Sequence, residues 1–282
     1  ADSLGEFNTV TNFAVVTITQ RVLTVICADT NMTYGATVPV PGWTAGEGAL
    51  LPGHFPDVRL AYTNDPLYAV GAYPDAISTN APIAVTNAAG ADVTSNYALS
   101  FVPGTLTVDP ARLSVSAESV TACYDGGTHR LETYAFADAD TGLPVVPTAV
   151  SNSADGVTWY LKDDFPRYVD ATNLAPVHVA VVAEGYEPFV SSGPLATVTV
   201  TQKVVTVTLA DTNMAYGASV PAWTVKSVTG LVGDDALSGE PGAVVGPVPT
   251  EVAGSPHEVA VGAGTLDAGP NYKIVVAPAK LT

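Results

Sequence analysis

Grouped carboxylates are the residues of this sequence whose types best suit metal chemistry. Asp138 and Asp140 precede Thr141-Gly142, and Asp163 and Asp164 stand side by side in a later polar stretch. Carboxylate and carbonyl oxygens are the ligands that Ca²⁺ prefers, although the spacing of an EF-hand loop is missing. The commoner explanation is that acidic residues simply form turns. We therefore expect no cofactor. If the protein does bind one, calcium at Asp138, Asp140, Asp163 and Asp164 is the candidate.

Aromatic residues concentrate close to the second of these acidic stretches. Trp159 and Tyr160 have no equivalent elsewhere in the sequence, and Phe165 and Tyr168 follow them. Aromatic rings give rigid contact area and stack on sugars, so Trp159 and Tyr160 are the candidate ligand-binding residues. The alternative is an ordinary strand with one inward-facing aromatic side chain.

Catalytic chemistry has little support in the sequence. The four histidines, His54, His129, His178 and His257, each stand in a different local context, with neither the spacing of metal ligands nor a neighbouring nucleophile. No nucleophile elbow, phosphate loop or dinucleotide fingerprint is present. We predict that the protein is not an enzyme and has no catalytic or cofactor-binding residues.

The charge of the chain excludes further classes of function. Ten Lys and Arg face 27 Asp and Glu, for a net charge of −17, and no basic cluster offers a site for phosphates. Nucleic acid and anionic membranes are therefore poor partners. No apolar run approaches the roughly 18 residues that cross a bilayer. We expect no membrane insertion by this segment, and any signal peptide or anchor to lie outside it.

Composition and periodicity favour an all-β fold. Val, Ala and Thr are abundant, and 25 Gly and 22 Pro divide the sequence into short runs. Val205, Val207 and Leu209 alternate with Thr206 and Thr208, the period of a strand with one buried face. Leu23, Val25 and Cys27 share the same parity earlier in the chain. Cys27 is therefore interpreted as a small buried hydrophobic residue, and a disulfide to Cys123 is not expected.

An internal repeat organises the chain. The stretch Ala14–Pro39 returns with conservative changes as Ala196–Pro221, at a constant offset. Duplicated scaffolding residues are typical of arrays of modules that gain by length or spacing. No Gly or Pro occurs between Val198 and Leu209, so this junction between modules is predicted to be stiff.

The repeat divides the chain into modules of about five strands each. We predict a first module at 21–111, a middle module at 112–202 and a last module at 203–282, arranged as an elongated rod. Residues 1–20 align with the end of the middle module and are predicted to be the terminal strand of a preceding repeat of that type. Each module is expected to be either β-grasp-like or a small immunoglobulin-like sandwich.

Two sets of short motifs resemble known surface-protein repeats. Tyr34-Gly35 with Pro39, and Tyr216-Gly217 with Pro221, each followed by an Asn-Tyr strand, resemble the MBG domain of the YGX type. The middle module, with Tyr124-Asp125-Gly126 and Glu184-Gly185-Tyr186, is similar to YDG-type repeats, and residues 1–20 would be the end of another such repeat. The resemblance implies stalk or interaction modules of secreted or wall-attached adhesin-like proteins, with no catalytic residues to carry over.

These observations lead to one hypothesis and one alternative. The hypothesis is a monomeric, non-catalytic stalk or spacer of a bacterial cell-surface or secreted adhesin that projects a distal binding domain. Host glycans or host proteins would then be partners of the parent molecule. The alternative is a glycan- or host-protein-binding module centred on residues 112–202.

Overall fold

The computed structural model of the protein confirms the all-β fold. It describes residues 14–46, 49–63 and 69–282, apart from the side chains of residues 172 and 173. Strands make up 45% of the structure and helix only 2%, which decides the fold class. The chain divides into two compact units, the first ending at Ala111 and the second spanning Arg112–Thr282. No helix within the described residues is long and apolar enough to cross a membrane.

The described residues of the first unit form short strands joined by tight turns. In chain order these are β1 Arg21–Cys27, β2 Thr30–Thr33, β3 Trp43–Ala45, β4 His54–Asp57, β5 Leu60–Tyr62, β6 Gly71–Thr79, β7 Ala84–Asn87, β8 Tyr97–Val102 and β9 Gly104–Asp109. They build the sheets β3-β1-β8, β2-β9-β6-β5 and β4-β7. β1 runs parallel to β8, with Arg21 opposite Tyr97. The strands are more numerous and shorter than the five we expected, because a bulge in β6 and frequent turns interrupt the pairing.

The alternation of β1 decides which of its side chains enter the core. Leu23 and Val25 are fully buried and Cys27 is 5% exposed, as their shared parity predicts. Burial raises the pKa of the Cys27 thiol, in keeping with a packed side chain rather than a reactive thiolate. Trp43, which lies opposite Cys27, is only half-buried at the edge of this core.

The middle module supplies the longest strand of the second unit. Its strands are β10 Leu113–Ala117, β11 Val120–Cys123, β12 Tyr134–Asp138, β13 Ala149–Ser153, β14 Tyr160–Leu161, β15 Thr172–Val182, β16 Phe189–Val190 and β17 Ala196–Thr201. They form the path β11-β17-β15-β13-β14, with β16 also on β15 and β10 paired to β12. Val177, Val179 and Val181 of β15 face the core, where Leu131 and Phe165 close it.

The last module contains five strands among the described residues, the number expected. These are β18 Lys203–Leu209, β19 Val225–Thr229, β20 His257–Val259, β21 Tyr272–Val276 and β22 Ala279–Leu281. β18 lies between antiparallel β19 and parallel β21, where Lys203 stands opposite Tyr272. Val205, Val207 and Leu209 are buried around Trp223, which is 4% exposed.

The turn at Tyr216 and residues 14–20 lie at the surface. Tyr216 is 76% exposed, because it stands at a turn that points its ring outward. Residues 1–13 of the predicted terminal strand lie outside the described residues. Residues 14–20 are described but form no strand, and Val16 and Ile18 are 81% and 92% exposed.

Candidate functional site

The best-defined polar arrangement lies where the middle and last modules meet. Thr201 ends β17 and Lys203 begins β18, so Gln202 alone separates the two strands. β17 is held on both sides, by β11 in parallel and by β15 in antiparallel orientation. β18 is likewise held between β19 and β21. Each end of the connection is therefore anchored inside a sheet, which leaves a single residue to act as a hinge.

Tyr124 carries the packing across this junction. It follows β11 directly, yet its ring is 8% exposed and belongs to the core of the last module, together with Val200 of β17. Its ring meets that of Tyr272 edge-on, with 5.3 Å between centroids and 83° between planes. Edge-to-face aromatic pairs of this kind stabilise by roughly 0.5–1.5 kcal/mol beyond their buried area. A side chain of one module thus completes the core of the next.

Asp235 joins the two phenols. Its Oδ2 accepts hydrogen bonds from the Tyr124 hydroxyl at 3.0 Å and from the Tyr272 hydroxyl at 2.5 Å. Burial, followed by the bond to this carboxylate, raises the pKa of Tyr272 to about 12. The hydrogen bond to Asp235 is the main cause that raises the pKa of Tyr124. Both shifts favour neutral phenols that donate to a carboxylate, a charge-assisted arrangement.

Side-chain amides connect the backbones on both sides. Asn271 accepts from the backbone N–H of Ala171 at 2.7 Å and donates to Asp170 at 2.9 Å. Gln202 donates to the carbonyl oxygen of Pro270 at 2.8 Å. These bonds fix the middle module's loop and the linking residue against the turn before β21.

The turn after Tyr124 requires glycine. Gly126 has φ of +77°, and a Cβ atom at this position would lie 3.0 Å from Cγ1 of Val232 in the last module. Any side chain would meet both the left-handed backbone penalty and this close contact. The Tyr-Asp-Gly motif therefore has a physical reason: tyrosine enters the neighbouring core, and glycine allows the turn to approach it.

The predicted calcium ligands lie in two separate turns. Oδ1 of Asp138 accepts from the backbone N–H groups of Asp140 and Thr141 at 3.1 and 2.8 Å, and the bond from Thr141 is the main cause that lowers its pKa. Asp163 and Asp164 lie in a short 3-10 helix, and Asp163 lies 3.4 Å from the guanidinium of Arg130. Across residues 14–46, 49–63 and 69–282, no group of three or more His, Cys, Asp and Glu is placed to hold a metal ion.

The predicted ligand-binding aromatics sit at the edge of the middle module's sheet. Trp159 is half-buried, and Tyr160 of β14 is 40% exposed. The Tyr160 ring contacts Phe165, whose ring is buried and contacts Tyr168 in turn, with centroids 6.3 and 6.5 Å apart. The structure thus brings Tyr160, Phe165 and Tyr168 together, and leaves part of Tyr160 accessible.

Sequence reasoning missed the role of the residues at the junction. Tyr124 was predicted only as part of the Tyr-Asp-Gly motif. Asn271-Tyr272 did carry a signal, because Asn96-Tyr97 stands at the matching position of the first module. What the sequence did not indicate is that Asp235 and Tyr124, 111 residues apart, are hydrogen-bonded.

Comparison with known families bears on the segment that carries Asp235, Asn271 and Tyr272. Residues 205–282 match the family model of the MBG domain (YGX type). The MBG part of the resemblance is thereby confirmed for the last module. MBG domains are non-enzymatic repeat-type domains found in surface adhesin-like proteins. No curated protein matches the chain.

Proposed function

We propose that this chain is a non-catalytic stalk or spacer of a bacterial cell-surface adhesin, in which tandem modules project a distal binding domain. In this proposal residues 21–111 are a second MBG-like module, and residues 112–202 are a YDG-type repeat between the two. The protein acts outside the cell, as a monomer. The MBG match at residues 205–282 supports a non-enzymatic surface role.

The observation that carries the proposal is the junction after the middle module. A spacer transmits position only if its modules cannot rotate freely about their linkers. Here one residue, Gln202, links two paired strands, and Tyr124 is buried in the following module's core. Such contacts couple neighbouring modules, so the stability of an array exceeds the sum of its isolated parts.

Small-angle X-ray scattering on the whole chain tests the spacer function. The proposal predicts an elongated particle of the same maximum dimension in calcium and in chelator. A compact particle in both conditions would contradict it. A particle that shortens only in chelator would instead make the acidic turns structural calcium sites and support a metal-dependent stalk.

The accessible aromatics of the middle module favour the second candidate function, the binding of a glycan or a host protein. Tyr160 keeps 40% of its surface exposed while its ring is held against buried Phe165, so part of this aromatic residue is accessible to a ligand. A glycan-array screen with the natural chain, Trp159→Ala and Tyr160→Ala tests this directly. Reproducible binding that both variants lose would support it, and binding unchanged by either variant would exclude this surface. Val190→Ala, at an exposed position of β16, is the matched control.

A further inference from the structure

The first module repeats the turn that holds Asp235 in the last module. Asp235 donates its backbone N–H to the carbonyl of Val232 at 3.0 Å, and His54 donates in the same way to Leu51 at 3.1 Å. The backbone N–H of Val232 donates to the Tyr272 hydroxyl at 2.9 Å. In the first module the backbone N–H of Leu51 donates to the Tyr97 hydroxyl at 3.4 Å. His54 therefore occupies in the first module the place that Asp235 occupies in the last.

The linking glutamine is repeated too. Gln202 donates to the carbonyl of Pro270, and Gln20 donates to the carbonyl of Ser95 at 3.0 Å. The strand that follows also keeps its register, because Arg21 faces Tyr97 as Lys203 faces Tyr272. The first module thus reproduces its side of the junction in detail.

The difference lies in what covers this surface. In the last module the ring of Tyr124 packs edge-on against Tyr272, and its hydroxyl donates to Asp235. In the first module a cavity of about 440 Å³ lies beside His54 and Tyr97. Cavities of roughly 300–1,000 Å³ are the usual size of sites that enclose a ligand group.

The segment that precedes β1 is exposed, whereas its counterpart in the repeat, β17, is buried. Val198 and Val200 of β17 are 0% and 1% exposed, because β11 and β15 flank that strand. Their counterparts in the repeat, Val16 and Ile18, are 81% and 92% exposed. Apolar residues that are buried in one copy and exposed in the other mark a surface that a partner covers.

We propose that residues 14–21, with Leu51, His54 and Tyr97, form a docking surface for a module of the same type as residues 112–202. Its Tyr-Asp-Gly turn would enter the cavity, in the register that residues 112–202 keep ahead of Lys203. This inference rests on the two copies of the junction and not on the spacer function.

The chemistry of the cavity suits a phenol. The Tyr97 hydroxyl lies 2.7 Å from Nδ1 of His54, and an imidazole carries a second nitrogen, Nε2, that hydrogen-bonds an incoming hydroxyl. The rings of His54 and Tyr97 already meet edge-on, with 5.8 Å between centroids, as those of Tyr124 and Tyr272 do. A tyrosine from the docked module would extend this aromatic pair.

The test is a chain in which a second copy of residues 112–195 replaces residues 1–13 and runs directly into Ala14, so that residues 14–20 supply the last strand of the added module. Amide hydrogen exchange is followed by mass spectrometry in peptides that cover Leu51 and His54, and compared with the natural chain. We expect exchange there to slow about tenfold or more, because docking must open before these amides exchange. Tyr124→Ala, made only in the added copy, should remove most of the protection. Val190→Ala in the added copy, far from the turn in sequence, should leave it in place.

The proposal would be overturned if the strands of the added copy are protected but the exchange rates at Leu51 and His54 equal those of the natural chain. If the added copy fails to fold, a complete second copy of residues 112–202 that replaces residues 1–20 and runs directly into Arg21 provides the second test, because it brings its own last strand. Failure of the added copy to fold in both chains also overturns it. The scattering experiment uses the natural chain, which has no added module, so its result tests the spacer function independently of this proposal.

Discussion

Replacing Trp223 by alanine tests how far the last module depends on its core and on its neighbour. Trp223 is 4% exposed, in the same cluster as Tyr124 and Val200 of the middle module. Truncation of a buried tryptophan costs about 3–5 kcal/mol of unfolding free energy. If the last module, about 80 residues, unfolds alone, each kcal/mol lowers its melting temperature by about 4–8 °C, giving a total of about 12–40 °C.

If the two modules are coupled across the junction, Trp223→Ala should lower the melting temperature less, but should destabilise a longer part of the chain. If Arg112–Thr282 unfolds as one unit of about 170 residues, each kcal/mol lowers the melting temperature by about 2–4 °C, giving about 6–20 °C. Differential scanning calorimetry measures the shift, and hydrogen exchange assigns it to residues. We expect β11 and β17 to lose protection together with β18 and β21.

A matched variant separates the loss of volume from the loss of the indole N–H. Within the described residues Nε1 of Trp223 has no hydrogen-bond partner, and such a buried donor costs about 1–3 kcal/mol. Trp223→Phe removes it and keeps an aromatic ring, so this variant should destabilise much less than Trp223→Ala. A melting temperature of Trp223→Ala within about 2 °C of the natural protein's, or an equal loss of protection in β1 and β8, would contradict this prediction.

Three further predictions follow from single groups. The raised pKa of Tyr272 contributes stability below pH 10 that is lost as the pH rises towards 12, so absorbance at 295 nm and circular dichroism should change together there, and Tyr272→Phe should separate them. The carboxylate of Asp155 accepts from the N–H groups of Thr158 and Val157, which lowers its pKa; the protection factors of that loop, taken against the intrinsic exchange rate at each pH, should therefore fall as the pH drops below about 4, whereas protection factors already as low at neutral pH would contradict this. Oδ1 of Asp138 already accepts two backbone N–H bonds, which weakens this carboxylate as a metal ligand, so calcium and chelator should give the same melting temperature, and a rise of several degrees in calcium would argue for a metal site.

Strand periodicity was a reliable guide to the cores of the outer modules. The buried faces of β1 and β18 follow from the alternation of Leu23 and Val25, and of Val205 and Val207, because a period of two leaves no other inward set.

The burial of two tyrosines depends on tertiary contacts that the sequence alone did not indicate. Tyr216 and Tyr34 occupy matching positions of the repeat, yet Tyr216 is 76% exposed, because a repeated residue can serve a turn as well as a core. Tyr124 is buried through a module that lies beyond its own, and no local pattern records that partner. The junction therefore had to be read from the structure, although the motifs that build it are visible in the sequence.

The distance between the middle and last modules shows directly whether their junction is rigid. Spin labels at Val190→Cys in β16 and Val275→Cys in β21, both exposed, with Cys27 and Cys123 replaced by alanine, allow the distance between the modules to be measured by double electron–electron resonance. A chain with Gly-Ser-Gly inserted after Gln202 provides a hinged reference. We predict one narrow distance distribution for the natural junction and a broad one for the reference. A distance distribution for the natural chain as broad as that of the hinged reference would contradict a fixed arrangement of the two modules.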